Sequence, residues 1–178
     1  MQVQTSGVKV RGIVHDLGGK NRKVWKDLEI GPRDHGSHFV NPDDSGTMVY
    51  VFADVPHLLK LLVWNCMDNG FVLASGETLD KNDFIKMLDA DSAEIKCNYK
   101  LSRDLLNLTH RERQNVSKAA KIFSNSTATL ADLVFPQNTD KGRFIRLVNN
   151  WFDIFNSRTN KCPNLKAGFG THYVEQVK

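Results

Sequence analysis

Apolar residues alternate or run together through the first seventy positions, and recur at helical spacing after them. VKVRGIVH (8–15) alternates as a strand does, and Gly18-Gly19 ends it ahead of the basic run Lys20, Arg22, Lys23 and Lys26. Residues 31–47, rich in Gly, Pro, Asp, Asn and Ser, predict a long loop. MVYVFA (48–53) is the clearest strand, and its nearly continuous apolar character predicts burial on both faces. Pro56 then suits the first turn of a helix whose HLLKLLVW segment is apolar nearly all round.

From about residue 78 the period is helical. Asp80 is placed to cap a helix over DKNDFIKML. THRE (109–112) forms a capping box ahead of Val116, Ala119, Ala120 and Phe123, which share one helical face. Asp140 is placed to cap a last helix. On it Phe144, Leu147, Val148, Trp151, Phe152 and Phe155 form the core side, and Arg146, Asn149, Asp153 and Asn156 a polar stripe. The segment 157–178 reads as irregular up to a short strand at HYVEQV. The shift in texture places a coarse boundary between 70 and 80, and the chain is divided at 74/75 into a strand-rich part at 1–74, a mostly helical part at 75–160 and a tail at 161–178.

With 40% hydrophobic and 25% charged residues the composition is that of a globular chain, which disfavours disorder and collagen. The net charge of +4 permits a polyanionic partner without demanding one. Cys66, Cys97 and Cys162 include no close pair, which argues against a disulfide scaffold and favours a reducing compartment. No stretch approaches the length of a membrane span, and no secretion signal is present.

Candidate chemistry is sparse. Asp54 ends the strand 48–53, where a carboxylate can hold a divalent metal such as Mg²⁺, or cap the helix that follows. His57 fits either a partner for Asp54 or a hydrogen-bonded core histidine. His35 and His38 lack further zinc ligands. Gly18-Gly19-Lys20 lacks the frame of a phosphate loop, and the basic residues around it fit either nucleic-acid phosphates or a solvated face. In WFDIFN (151–156), Asp153 and Asn156 offer the acceptor and donor mixture that a guanine edge uses, although solvent exposure produces the same spacing.

Four ordered segments, VHDLGGKNRKVWKDLEI (14–30), YVFADVPHLLKLL (50–62), YKLSRDLLNLTHRERQNVSKAAKIFSNS (99–126) and NNWFDIFNSR (149–158), resemble the P-element family of DNA transposases, including relatives with a THAP zinc finger. The resemblance implies an α+β chain, part of an RNase H-like domain followed by a mostly helical GTP-binding insertion. It implies Asp54 as one of three metal-holding catalytic acids, with Lys100 facing phosphate, Val116 and Ser124 lining the pocket, and Asp153 and Asn156 reading guanine. GTP and Mg²⁺ are the implied cofactors, DNA the partner of a full-length parent, and the nucleus the location.

Departures qualify the resemblance. Asn115 stands where relatives can carry lysine, and Val63-Trp64 replaces a common Arg-Asn. The other two acids, the THAP module and the dimerising coiled coil have no counterpart motif in the sequence. The expectation is a fragment or decayed copy that retains the nucleotide module and does not transpose DNA alone. The alternative is a domesticated GTP-binding or interaction module. Strand 48–53 is expected to lack neighbours and to expose an edge suited to self-association.

Overall fold

A computed structural model describes residues 9–31, 36–44, 46–91 and 96–157. The chain divides into two compact units, Met1–Asp54 and Val55–Lys178. The texture boundary at 74/75 falls inside the second. The expected HYVEQV strand and the tail at 161–178 lie outside the described residues.

In the first unit, β1 (Gly12–His15) is followed by α1 (Gly19–Asp27), β2 (His38–Val40) and β3 (Met48–Ala53). The sheet order is β1-β3-β2, with β1 parallel to β3 and β2 antiparallel to it. Two expectations are corrected here. β3 is the central strand, hydrogen-bonded on both sides, so among the described residues β1 and β2 are the outer strands of this sheet. It is also buried on one face only, with Val49 and Val51 inside and Met48, Tyr50 and Phe52 exposed. Val14 and Val40 share that open face by register, so continuous apolar character marks β propensity here and not two-sided burial.

The stretch 31–47, expected as loop, supplies the missing neighbour as β2. A tight turn follows it, in which buried Asn41 accepts from the Asp43 N–H and Thr47 Oγ1 donates to Asp44 at 2.6 Å. Short polar side chains that mimic backbone acceptors make this turn possible.

Among its described residues the second unit is helical apart from the hairpin strands β4 (Phe71–Val72) and β5 (Thr78–Leu79). Its helices are α2 (Val55–Asn69), α3 (Lys81–Ala90), α4 (Arg103–Leu106), α5 (Val116–Ile122), α6 (Asn125–Val134) and α7 (Thr139–Phe155). Asp80 caps α3 as expected, accepting from the Asn82 and Asp83 N–H groups, while Asp83 accepts from the Asp80 N–H. Thr109 and Glu112 do form reciprocal bonds, but these open a single 3-10 turn, Glu112–Gln114. Asn115 then caps α5 separately.

Two expectations for α7 are corrected. Its cap position is Asn138, and Asp140 lies in the first turn. Of the expected core side, Val148 is buried and Phe144, Trp151 and Phe152 pack against the core, but Leu147 and Phe155 are 64% and 52% exposed, and the other buried positions are Lys141, Gly142, Ile145 and Ile154. The core face is turned because α6 lies close against Gly142, where an added Cβ would meet the Ala128 carbonyl oxygen at 2.9 Å. The closer helix claims positions 142 and 145, and large apolar residues one step around are left at the rim.

An aromatic chain crosses this core. Phe84 and Phe123 have ring centroids 5.8 Å apart, Phe123 and Phe144 6.1 Å, and Phe144 and Phe71 5.8 Å. Each large side chain removed from water contributes about 1.5–3 kcal/mol, so this chain joins α3, the α5–α6 corner, α7 and the hairpin. Val63 is fully buried and the Trp64 indole donates to the Arg113 carbonyl at 2.8 Å. The Val63-Trp64 pair is therefore part of how α2 holds the 3-10 turn, and Arg113 completes the contact with two bonds to Asp68.

Candidate functional site

Asp91, at the carboxyl end of α3, accepts from the N–H groups of Cys97 at 2.7 Å and Asn98 at 3.0 Å. Asn98, 1% exposed, passes the connection inward by donating to Thr127 Oγ1 at 2.9 Å. Its side-chain oxygen accepts from the Lys100 N–H at 3.1 Å. A buried amide satisfied on both sides holds its loop in one conformation, and here the loop is the one that carries Lys100. The Lys100 ammonium lies 5.9 Å from the Tyr99 ring centroid, and Tyr99 is exposed.

Ser124 meets the same network from the other side. Thr127 Oγ1 donates to the Lys121 carbonyl at 3.3 Å, so its single proton is committed and the Ser124 hydroxyl is the donor in their 3.0 Å contact. Ser124 Oγ also accepts from the Thr127 N–H and caps α6. It is 2% exposed, so its side chain builds the floor of this corner. Val116 begins α5, half-buried against the core. Asn115, where a lysine was the comparison, spends its side-chain oxygen on the Ser117 N–H at 2.9 Å.

Asp153 and Asn156 lie at the end of α7, both half-buried. Asp153 accepts from Asn149 Nδ2 at 3.2 Å, and Asn156 is the C-cap, its N–H donating to the Phe152 carbonyl. Lys100 and Ser124 are thus joined through Asn98 and Thr127. No hydrogen bond or ion pair among the described residues links them to Asp153 and Asn156. All four residues belong to one compact unit, with Lys100 and Ser124 in one hydrogen-bonded network and Asp153 and Asn156 as neighbours on the last turn of α7.

Other concavities of the unit are not lined by these residues. Two adjoining cavities of about 600 and 840 Å³ share Leu62, Phe71, Phe144 and Leu147 as lining. Their walls are overwhelmingly apolar, which does not match the charge of a polyphosphate. A smaller cavity of about 280 Å³ includes His57, Lys60, Asp68 and Arg113 in its lining. Asp68 is held below the usual carboxylate range by its hydrogen bonds from Arg113, whose own pKa is raised by the same contact.

In the first unit, the Asp54 N–H donates to the His15 carbonyl at 3.0 Å. His15 and Ala53 are register partners, so Asp16 and Asp54 follow them at the carboxyl ends of two adjacent parallel strands. That is where open α/β sheets place ligands. The sequence reading missed Asp16, although its signal, a carboxylate directly after a strand, is the one that selected Asp54. Asp16 also has local work, accepting from the Gly18 N–H at 2.9 Å and Asn21 Nδ2 at 2.7 Å, which fixes the start of α1. Among the described residues no group of three or more His, Cys, Asp or Glu is gathered as a metal site. Among them too, no helix is long and apolar enough to cross a membrane.

Residues 56–168 match the model of the TNP-like, GTP-binding insertion domain. The chain is 30% identical over 178 residues to the Transposable element P transposase of Drosophila melanogaster, covering 95% of this chain and 23% of that protein. It is 24% identical over 170 residues to the human (Homo sapiens) DNA transposase THAP9, covering 90% and 19% respectively. Among solved structures, the Drosophila P element transposase strand transfer complex superposes with a TM-score of 0.87 at 29% identity, over 99% of this chain and 41% of that one. The chain therefore spans less than a quarter of the curated relatives it matches. By sequence model and by fold alike, it belongs to the family of transposase-like GTP-binding insertion domains found in P-element transposases.

Proposed function

We propose that the second unit binds GTP as the nucleotide module of a P-element-like transposase. Lys100 neutralises phosphate, Val116 and the Ser124 corner wall the pocket, and Asp153 with Asn156 recognises guanine. The observation that carries this reading is that all five residues fall within the 56–168 match and within one compact unit. The anchored loop under Lys100 and the C-terminal end of α7 are the two polar surfaces the nucleotide bridges. Mg²⁺ accompanies the triphosphate, whose oxygens are hard ligands.

For the polypeptide that carries this module, the reading is metal-dependent DNA strand transfer in the nucleus, with the first unit as part of an RNase H-like domain. Asp54 is a metal ligand there, and Asp16 is its nearest companion by register. A two-metal centre holds attacking and leaving oxygens through several anionic ligands, so further carboxylates must join this pair. The chain by itself is expected not to transpose DNA.

Calorimetric titration with GTP, and with ATP as control, tests the nucleotide reading. The expected result is saturable binding selective for GTP and weakened roughly tenfold or more by Asp153→Asn, since a hydrogen bond to a charged acceptor contributes about 1.5–3 kcal/mol. Equal affinity for both nucleotides, or a folded chain that binds neither, would sink it.

A further inference from the structure

We infer that the basic face of α1 is a docking rail for the phosphate backbone of duplex DNA. The inference rests on the DNA-partner part of the proposed function and adds to it a surface in the first unit that nothing in the nucleotide module requires.

Two features make α1 a rigid carrier. Asp16 ties down its first turn through Gly18 and Asn21. Trp25 Nε1 donates to His15 Nε2 at 2.5 Å, while His15 Nδ1 bonds the Asp16 carbonyl at 2.8 Å. Through these two contacts the imidazole fastens the helix to the end of β1. Asn21 and Trp25 thereby define the anchored side.

Lys20, Arg22, Lys23 and Lys26 share the remaining positions of the helix with Val24 and Asp27, and all four are exposed. None forms an ion pair with a described residue. α1 has no acidic residue in its first turn, and its one carboxylate, Asp27, stands at the last position. From Lys20 to Lys26 the helix rises about 9 Å, enough to face two or three successive phosphates of one strand at about 3.4 Å each along the duplex axis. Pre-placed cations without acidic partners gain the release of DNA counterions and forfeit no existing ion pair. The rail also begins beside Asp16 and Asp54, so a strand held on it runs toward the carboxylate pair.

The test is fluorescence anisotropy of a labelled DNA duplex titrated with the full 178-residue chain across a salt series. Arg22→Gln, Lys23→Gln and Lys26→Gln are combined in one variant, and Lys96→Gln, Arg111→Gln and Arg143→Gln, at exposed positions of the second unit, form a control of equal charge change. The rail predicts that the first variant loses tenfold or more in affinity at low salt. It also predicts a log–log salt slope smaller by roughly 2–3, because each phosphate contact contributes about 0.9. The control stays within about twofold of the parent.

Charge-preserving Lys23→Arg and Lys26→Arg should retain full binding. Lys26→Gln alone, with a slope reduced by about 0.9, carries the test if the triple variant misfolds. Equal losses in both sets, an unchanged rail variant, or a parent that binds no DNA at low salt would overturn the inference. GTP titration of the same samples separates the two ideas: GTP binding without a rail effect sinks the rail alone, and a rail effect without GTP binding sinks the nucleotide reading alone.

Discussion

Lys141 Nζ lies 2.7 Å from Asp83 Oδ1, with the two side chains 9% and 5% exposed, so an ion pair between α7 and α3 is sealed inside the helical unit. Asp83 also completes the cap of α3, and the Lys141 ammonium stands 4.6 Å from the centre of the Phe135 ring. Such a pair gains little over an apolar replacement, but removing Lys141 leaves buried Asp83 with only the longer 3.8 Å contact to Lys86 and its cap bond as compensation. Lys141→Met is therefore expected to cost about 3–5 kcal/mol, read as a lowered urea midpoint at unchanged slope. A loss below about 1 kcal/mol would mean that the pair is hydrated in solution.

Gly142 is the second point where α7 depends on one atom. An added Cβ would stand 1.8 Å from Asp132 Oδ1 and 2.9 Å from the Ala128 carbonyl oxygen. Asp132 can swing away only by giving up its 2.7 Å contact with Arg146, and the α6 backbone would still be too near. Gly142→Ala is expected to destabilise the unit by about 1–3 kcal/mol despite alanine's better helix propensity. Thermal unfolding beside Gly76→Ala, a site with open space but positive φ, separates crowding from backbone strain.

Glu112 is held down to about 2 by the Lys118 side chain first and then by Thr109, which donates through both hydroxyl and backbone. Its folded value lies below its ordinary 4.5, so its contribution to stability is complete above that ordinary value and is lost as pH falls toward 2. Glu112→Gln should flatten the acid limb of the stability profile between those two values and leave the neutral-pH slope alone. Denaturation midpoints collected from pH 2 to 7 would show it, and identical acid limbs would count against the Lys118 contact in solution.

Burial, followed by the charges of Asp80 and Asp83, pushes the Cys66 thiol up to about 12. Cys66 is fully buried with its sulfur 3.4 Å from the Leu79 carbonyl, whereas Cys97 is exposed. In a Cys162→Ser background, a thiolate-directed reagent at pH 8 should modify Cys97 readily and Cys66 only on unfolding. Comparable rates at both would show that the α2–β5 contact opens in the native state.

Much of this protein was legible in the residue pattern. The strand 48–53, the Asp80 cap, the helical second part and the family itself follow from periodicity, capping chemistry and ordered motifs, all of which act over a few residues. Tertiary structure decided the rest. β3 became a central strand because β2 arose from a stretch whose glycines and prolines read as loop. The core face of α7 turned because α6 approaches at Gly142, a contact that periodicity within α7 does not encode. Ser124 became a buried cap because its proton acceptor, Thr127, is aligned by Asn98 from a distant loop. Asp16 came to stand beside Asp54 only through the parallel pairing of β1 and β3. Local sequence sets what each segment can form, while the partner that each face, proton and carboxylate meets is fixed by chain elements far away in sequence.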